Sequence, residues 1–344
     1  MRQDIRLTKQ KILVSLMAIA GLTPVSAAMA TPLQDKQGTW TIQGENDAVS
    51  TLNGTSDQYY TSGLRVNWTS GTDNLPKPFA DMTSAILGKG MQRVSMGIQQ
   101  LIFTPSDTQI AVPSSRDRPY AGLLLGTVNF ISDTDLSRGI FGIQAGMMGP
   151  SSLARQVQNG FHGAIGDTKN KGWSHQLANQ PIFQIQYGRI WRLPVARIGS
   201  ESRGISFDVL PAASARAGDY RISGTLGSTF RFGQGLDSDF GISTIGDGTD
   251  GTNAYKATRP FAWYAFGGVN GTVVGYDATL QGNTMRSNSP HVDMKRTVGQ
   301  IRAGLAVMFY GVRLSYAQVW ETQEFTTARS GLFNYGSLML SAKF

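Results

Sequence analysis

Gln300-Ile301-Arg302-Ala303-Gly304-Leu305-Ala306-Val307-Met308-Phe309, then Tyr310-Gly311, then Val312-Arg313-Leu314-Ser315-Tyr316-Ala317, is the stretch that decides the fold. In an extended chain successive side chains point to opposite faces. Ile301, Ala303, Leu305, Val307 and Phe309 therefore share one face, against Gln300, Arg302 and Gly304 on the other. Past the two-residue connection Tyr310-Gly311, Val312, Leu314 and Tyr316 alternate in the same way with Arg313, Ser315 and Ala317. Arginine every few positions on the polar face suits a strand held between lipid and a wet lumen.

The same alternation recurs along the chain. Trp40 and Ile42 stand against Thr39, Thr41 and Gln43; Leu64, Val66 and Trp68 against Gly63, Arg65 and Asn67; Val94, Met96 and Ile98 against Ser95, Gly97 and Gln99; Phe183, Ile185 and Tyr187 against Gln184, Gln186 and Gly188. The chain stops with Leu338, Leu340, Ala342 and Phe344 on one face and Ser337, Ser341 and Lys343 on the other. A soluble sandwich also alternates, but the repeated polar-face Arg and Gln favour a transmembrane antiparallel β-barrel. Closure leaves no unpaired strand edge in lipid.

The expected strands lie near 38–47, 59–69, 92–103, 119–131, 139–148, 182–192, 204–217, 219–233, 260–280, 297–309, 311–322 and 333–344. The ninth is kept whole across Gly271, because bacterial single-chain barrels use even strand numbers. Short helices are expected in 149–181, from Leu153 to Ile165, and around Pro78 to Leu87.

The 344 residues include no cysteine and carry a net charge of +8. Residues 1–30 read as a secretory signal: Arg2, Arg6, Lys9 and Lys11 precede an apolar Ile12 to Leu22, and Ala28-Met29-Ala30 offers a small-x-small cleavage site. Its removal takes four basic residues and Asp4, leaving +5 on a single domain of residues 31–344. No later stretch reaches the roughly 18 consecutive apolar residues of a membrane-crossing helix. The basic residues are scattered, without a helical or aromatic platform for nucleic acid. No G-x-S-x-G elbow marks a serine hydrolase of the α/β type, and no Cys/His cluster suggests zinc.

If the chain starts in the periplasm, odd strands run outward. The connections after strands one, three, five, seven, nine and eleven are then extracellular. They hold Asn46-Asp47, Arg116-Asp117-Arg118, 149–181, His291-Val292-Asp293 and 326–333, with Thr61 at the outer start of strand two. One long connection, 234–259, falls on the periplasmic side, where turns are usually short.

Of three histidines, His162, His175 and His291, the first has the most telling neighbours. Gln158 shares its helical face and Asp167 follows closely. Histidine is the usual general base for activating water. Asn46-Asp47 reads either as an ordinary turn or as oxygen ligands for a hard cation such as calcium.

At these residues the sequence resembles the LpxR-type lipid A 3′-O-deacylases. The resemblance runs over nearly all of residues 31–344 and includes Glu45-Asn46-Asp47, Ser56-Asp57-Gln58-Tyr59-Tyr60-Thr61-Ser62-Gly63 and Asp117-Arg118-Pro119-Tyr120-Ala121-Gly122. Its most specific piece is Gln156-Val157-Gln158-Asn159-Gly160-Phe161-His162, followed by Gly172-Trp173. The resemblance implies a twelve-stranded outer-membrane barrel, with a calcium-dependent ester hydrolase site at the outer rim beside a helix of the third extracellular loop; a monomer is expected. His162 would be the general base, Asp47 and Asn46 would bind calcium or orient the reacting groups, and Thr61 and Gln158 would support them. The substrate would be lipid A within lipopolysaccharide. The family's lysine after the Thr-Pro pair is missing, since 106–115 after Thr104-Pro105 hold none. Arg116 or Arg118 would then supply positive charge to the oxyanion or a lipid A phosphate, although arginine is not equivalent to lysine in a tight site. A non-catalytic barrel (a narrow pore or surface-binding protein) and an outer-membrane phospholipase are the alternative readings.

Overall fold

The computed structural model describes residues 22–24, 34–50, 58–200, 204–249, 251–284 and 286–344. Twelve strands make the wall: β1 Thr39–Asn46, β2 Tyr59–Thr69, β3 Met91–Thr104, β4 Ala121–Asp133, β5 Ser137–Met148 and β6 Gln180–Trp191. They continue with β7 Ile205–Gly218, β8 Arg221–Gly233, β9 Phe261–Asp277, β10 Thr297–Phe309, β11 Val312–Glu321 and β12 Phe333–Lys343. Each pairs antiparallel with its sequence neighbour, and β12 closes on β1 with Gly336 opposite Asn46 and Lys343 opposite Thr39. The expected closed barrel is therefore the fold.

The ninth strand is indeed single, but it ends at Asp277, whose carboxylate accepts from the Thr279 N–H and starts the short helix Ala278–Gln281. Past Arg192, β6 resumes as Leu193–Ile198, still paired with β7. The expected leader, residues 1–30, lies outside the described residues except for Leu22–Pro24, a short strand against 196–198. At Tyr310-Gly311 φ is 44° and 84°, the positive pair of a tight hairpin turn matched to strand twist.

The alternation sorts the side chains as the sequence required. Ile301, Leu305, Phe309, Leu314, Leu338 and Leu340 are exposed on the outer face, while Arg65, Arg231 and Arg313 are fully buried in the lumen. Trp40, Trp191, Phe261, Phe309 and Tyr310 form an exposed aromatic set near one end, as a membrane interface favours.

That end also carries 234–260, and here the structure explains the misfit of a long connection among short ones. The segment folds into the lumen as a plug. Leu236, Ile242 and Tyr255 pack with Tyr264, Met308 and Met339 of the wall. Asp239 joins Arg231 at 2.5 Å and Arg313 at 2.6 Å, and Arg231 also meets Asp208 at 2.6 Å. Farther up, Gln43 donates to the Ser243 carbonyl at 3.0 Å, and Glu45 accepts from the Ile245 N–H at 2.9 Å. Strand-borne arginines in a narrow lumen need counter-charges, and the plug brings two of them, Asp239 and Asp247. Burial alone would raise the Asp239 pKa, but Arg313 and Arg231 hold it at about 2. Arg65, Arg302 and Arg313 thus fill the lumen among plug and wall groups rather than line an open passage.

Two helices sit against the outside of the wall. α1, Lys77–Leu87, covers outward-facing Gln92 at the plug end, with Gln92 Nε2 donating to the Ala80 carbonyl at 3.0 Å. α2, Ala154–Ile165, matches the helix expected in 149–181 and lies at the opposite, loop end. Its approach covers outward-facing Gln100, whose Nε2 donates to the Ser152 carbonyl at 2.6 Å. Gly122 allows this seat, since a Cβ there would lie 2.2 Å from that of Ala154.

Candidate active site

The loop end gathers three pieces of chain into one cleft. The first is the C-terminal turn of α2, which carries His162. Gly166, at φ 76°, ends the helix in the left-handed conformation that glycine accepts without strain. The chain then doubles back and brings the Thr168 carbonyl to Nδ1 of His162 at 2.8 Å. A carbonyl oxygen only accepts, so Nδ1 carries the hydrogen and the neutral ring keeps its lone pair on Nε2. The Asp167 carboxylate, exposed, stands 3.9 Å from the same Nδ1, too far for a hydrogen bond. Asn159 and Asn170 fix the return, Asn170 N–H donating to Asn159 Oδ1 at 2.9 Å.

The second piece is the end of β1. Asn46 Oδ1 accepts from the Ala48 N–H at 2.7 Å and caps the 3-10 turn Asp47–Val49. Asp47 Oδ2 accepts from the Gln58 N–H at 3.0 Å. The turn lies so close to β12 that a Cβ on Gly336 would stand 2.5 Å from the Val49 carbonyl oxygen. Only glycine admits that contact.

Loop 105–120 is the third piece. Asp117 draws it together, accepting from Ser106 N–H at 2.9 Å and Ser106 Oγ at 2.6 Å. The Lys171 N–H donates to the Thr108 carbonyl at 3.0 Å, tying this loop to the return from α2. Between the three pieces lies a cleft of about 420 Å³ lined by Asn46, Asp47, Ser106, Asp107, Thr108, Gln109, Phe161, His162, Ile165, Asp167, Thr168 and Asn170.

The structure thus unites Asn46, Asp47 and His162, and leaves other candidates elsewhere. Gln158 shares the buried helix face with His162 but accepts from Trp173 Nε1 at 2.9 Å, so it braces α2 rather than lining the cleft. Trp173 in turn packs against Tyr120 with its ring tilted by 50°, centroids 4.8 Å apart. Thr61 is buried one strand over, its hydroxyl 2.7 Å from that of Thr104. Arg116 is exposed, and its carbonyl accepts from Thr327 Oγ1. Expected as a substrate contact, Arg118 is instead wholly buried. It is ion-paired with Glu324, donates to Thr279 Oγ1 at 2.7 Å and lies 4.2 Å over the Phe103 ring. Arg221 stands 3.6 Å from the same Glu324. Burial pushes the Glu324 carboxyl upward, but Arg118 and Arg221 hold it below the usual range. His175 and His291 are exposed and outside the cleft.

Sequence reasoning missed Ser106, Asp107 and the Thr168 carbonyl as cleft groups. The glycine and the polar run closing α2 were the available signal for Thr168. Among the described residues no group of three or more His, Cys, Asp or Glu side chains is placed to hold a metal ion. The cleft's donors are nevertheless oxygens, from the Asn46 amide and the Asp47, Asp107 and Asp167 carboxylates, which by kind suit a hard cation.

The chain is matched over residues 12–344 by the model of the family described as outer membrane protein LpxR. Among solved structures it is similar to LpxR from Salmonella typhimurium, with a TM-score of 0.73 and 21% identity over 89% of this chain and 100% of that one. A more distant similarity is to the beta domain of the Bordetella autotransporter BrkA, with a TM-score of 0.38 and 11% identity over 90% of this chain and 100% of that one. No curated protein matches the sequence.

Proposed function

Since the chain belongs to the LpxR family of outer-membrane proteins, we propose that it is a lipid A 3′-O-deacylase whose loop end faces the cell surface. The observation that carries this reading is the single cleft holding Asn46, Asp47 and a His162 whose Nδ1 is committed to the Thr168 carbonyl.

The chemistry follows from that commitment. Nε2 of His162 takes a proton from a water molecule as the water oxygen attacks the ester carbonyl carbon. The imidazolium so formed keeps its Nδ1–H on Thr168, so the ring does not rotate between the two proton transfers. It then gives the Nε2 proton to the departing sugar oxygen as the carbon–oxygen bond breaks. The products are the released acyloxyacyl fatty acid and a 3′-hydroxyl on lipid A. Asn46 and Asp47 orient the water and the carbonyl from the opposite wall. A calcium ion held by Asp47 and Asn46 would supply Lewis-acid stabilisation of the developing oxyanion. All these groups come from one chain, so a monomer suffices.

The test is to incubate purified barrel with lipid A and, separately, with glycerophospholipid, in calcium and in chelator, and to analyse the products by mass spectrometry. Calcium-dependent loss of the 3′-linked acyloxyacyl group from lipid A is the expected result. Cleavage of glycerophospholipid alone would make it a phospholipase instead.

A further inference from the structure

Helix α2 has an odd distribution of side chains for an element at the edge of water. The long side chains on its buried face, Gln158 and His162, are polar. Leu153, Val157, Phe161 and Ile165, stepping along at intervals of four, are exposed at 50%, 44%, 55% and 60%. A helix covering a protein in water buries its apolar stripe; this one does the reverse. At about 100° per residue those four fall on one flank of the wall-facing line, while Arg155, Gln156 and Asn159 fall on the other.

Its position on the barrel explains the pattern. Along β3 the outward-facing series is Gln92, Val94, Met96, Ile98, Gln100 and Ile102. Ile98 is 61% exposed, but Gln100 and Ile102, one step and two steps higher, are 8% and 2% exposed because the start of the α2 segment lies over them. At the other end α1 lies over Gln92. From Gln92 to Gln100 the strand climbs about 26 Å at ~3.3 Å per residue, or about 20 Å along a barrel axis tilted by ~40°. The open stretch between the helices is thus close to the roughly 25 Å apolar band of outer-membrane barrels. α2 therefore sits at the upper border of that band, and its apolar flank is exposed there as Met96 and Ile98 are exposed below it.

We propose that α2 is an interfacial helix, with Val157, Phe161 and Ile165 seated among the lipid acyl chains of the leaflet at the loop end and Arg155 and Gln156 in water. Phe161 and Ile165 also line the His162 cleft, so its apolar side opens onto acyl chains, while exposed Asp107, Gln109 and Asp167 keep its other side in water. The ligand class it admits is an amphiphile still held in its leaflet. The seating itself does not depend on the deacylase reading.

The chain contains no cysteine, so single labels are readily placed. Val157→Cys, Phe161→Cys and Ile165→Cys, with Arg155→Cys and Gln156→Cys on the other flank, would carry a nitroxide in full-length barrel reconstituted into phosphatidylcholine vesicles. All five positions are exposed, so labelling leaves the folded barrel undisturbed. The reporters are collisions with oxygen, which concentrates in acyl chains, and with a water-soluble nickel chelate. We expect oxygen to exceed chelate severalfold at 157, 161 and 165, and the ratio to reverse at 155 and 156. Equal chelate access on both flanks would overturn the proposal, as would protection from both reagents at 157–165, the sign of a protein partner. No activity is read, so this result stands apart from the test of hydrolysis.

Discussion

Nδ1 of His162 donates to the carbonyl oxygen of Thr168 at 2.8 Å, across the left-handed glycine that ends the helix between them. A side chain fixed by a main-chain acceptor keeps both tautomer and orientation through a reaction cycle. Gly166 is what allows the return. A Cβ there meets nothing within 4 Å, so Gly166→Ala costs only the left-handed conformation itself at φ 76°. That cost is about 1 kcal/mol. We expect thermal stability of the barrel to change little and hydrolysis to fall about tenfold, since a small misplacement of a base is costly. Turnover and melting of the same preparation check both halves.

Gln158 and Trp173 act as a pair. Removing the acceptor in Gln158→Ala strips the buried indole N–H of its 2.9 Å bond, at about 1–3 kcal/mol. Trp173→Phe removes the donor and part of the packing on Tyr120. The double variant should cost at least 0.5 kcal/mol less than the sum of the singles, the mark of direct coupling. Denaturant titration of all four proteins measures it.

Arg118 and Glu324 clamp loop 105–120 to the connection after β11. Arg118→Ala leaves the Glu324 carboxylate buried beside Arg221 alone, and breaking a buried pair costs roughly 3–5 kcal/mol. The expected consequence is local: the loop-end connections become susceptible to protease while the strands stay resistant. Arg118→Leu with Glu324→Leu should restore much of that resistance, because no lone charge remains.

Asp239 sets a pH limit on the plug. Its folded pKa, about 2, lies below the ordinary value of 3.8. Its contribution is therefore complete above about pH 4 and fades as the pH falls toward 2. The linkage is worth on the order of 2 kcal/mol. Asp239→Asn should be less stable than the wild type at neutral pH, with the gap narrowing as the pH falls below 4. Melting of both proteins across that range tests the direction.

The sequence disclosed the wall and one side of the site, and the reasons are physical. Alternation survives in a strand such as Thr297–Phe309 because lipid and lumen impose opposite polarity on successive residues. The plug has no such rule. Its run from Gly246 to Asn253 is rich in glycine and polar residues, and its place is set by wall arginines distant in sequence. A signal was present in those arginines, since Arg231 and Arg313 on a lumen face demand acids that the neighbouring strands do not fully supply. His162 and Gln158 were legible as one helix face, but not that Trp173 would claim Gln158. Arg118 read as a surface charge because nothing in its own segment shows the carboxylate of Glu324 approaching it.

On this mechanism His162 is the base in a cleft that cleaves lipid A. Lipid A extracted from cells expressing the wild type or His162→Ala, and weighed by mass spectrometry, tests it most directly. The wild type should yield lipid A lighter by the 3′-linked acyloxyacyl group, with the variant reduced by on the order of 10²-fold or more, the scale of a lost general base. Identical profiles from the two strains would contradict it.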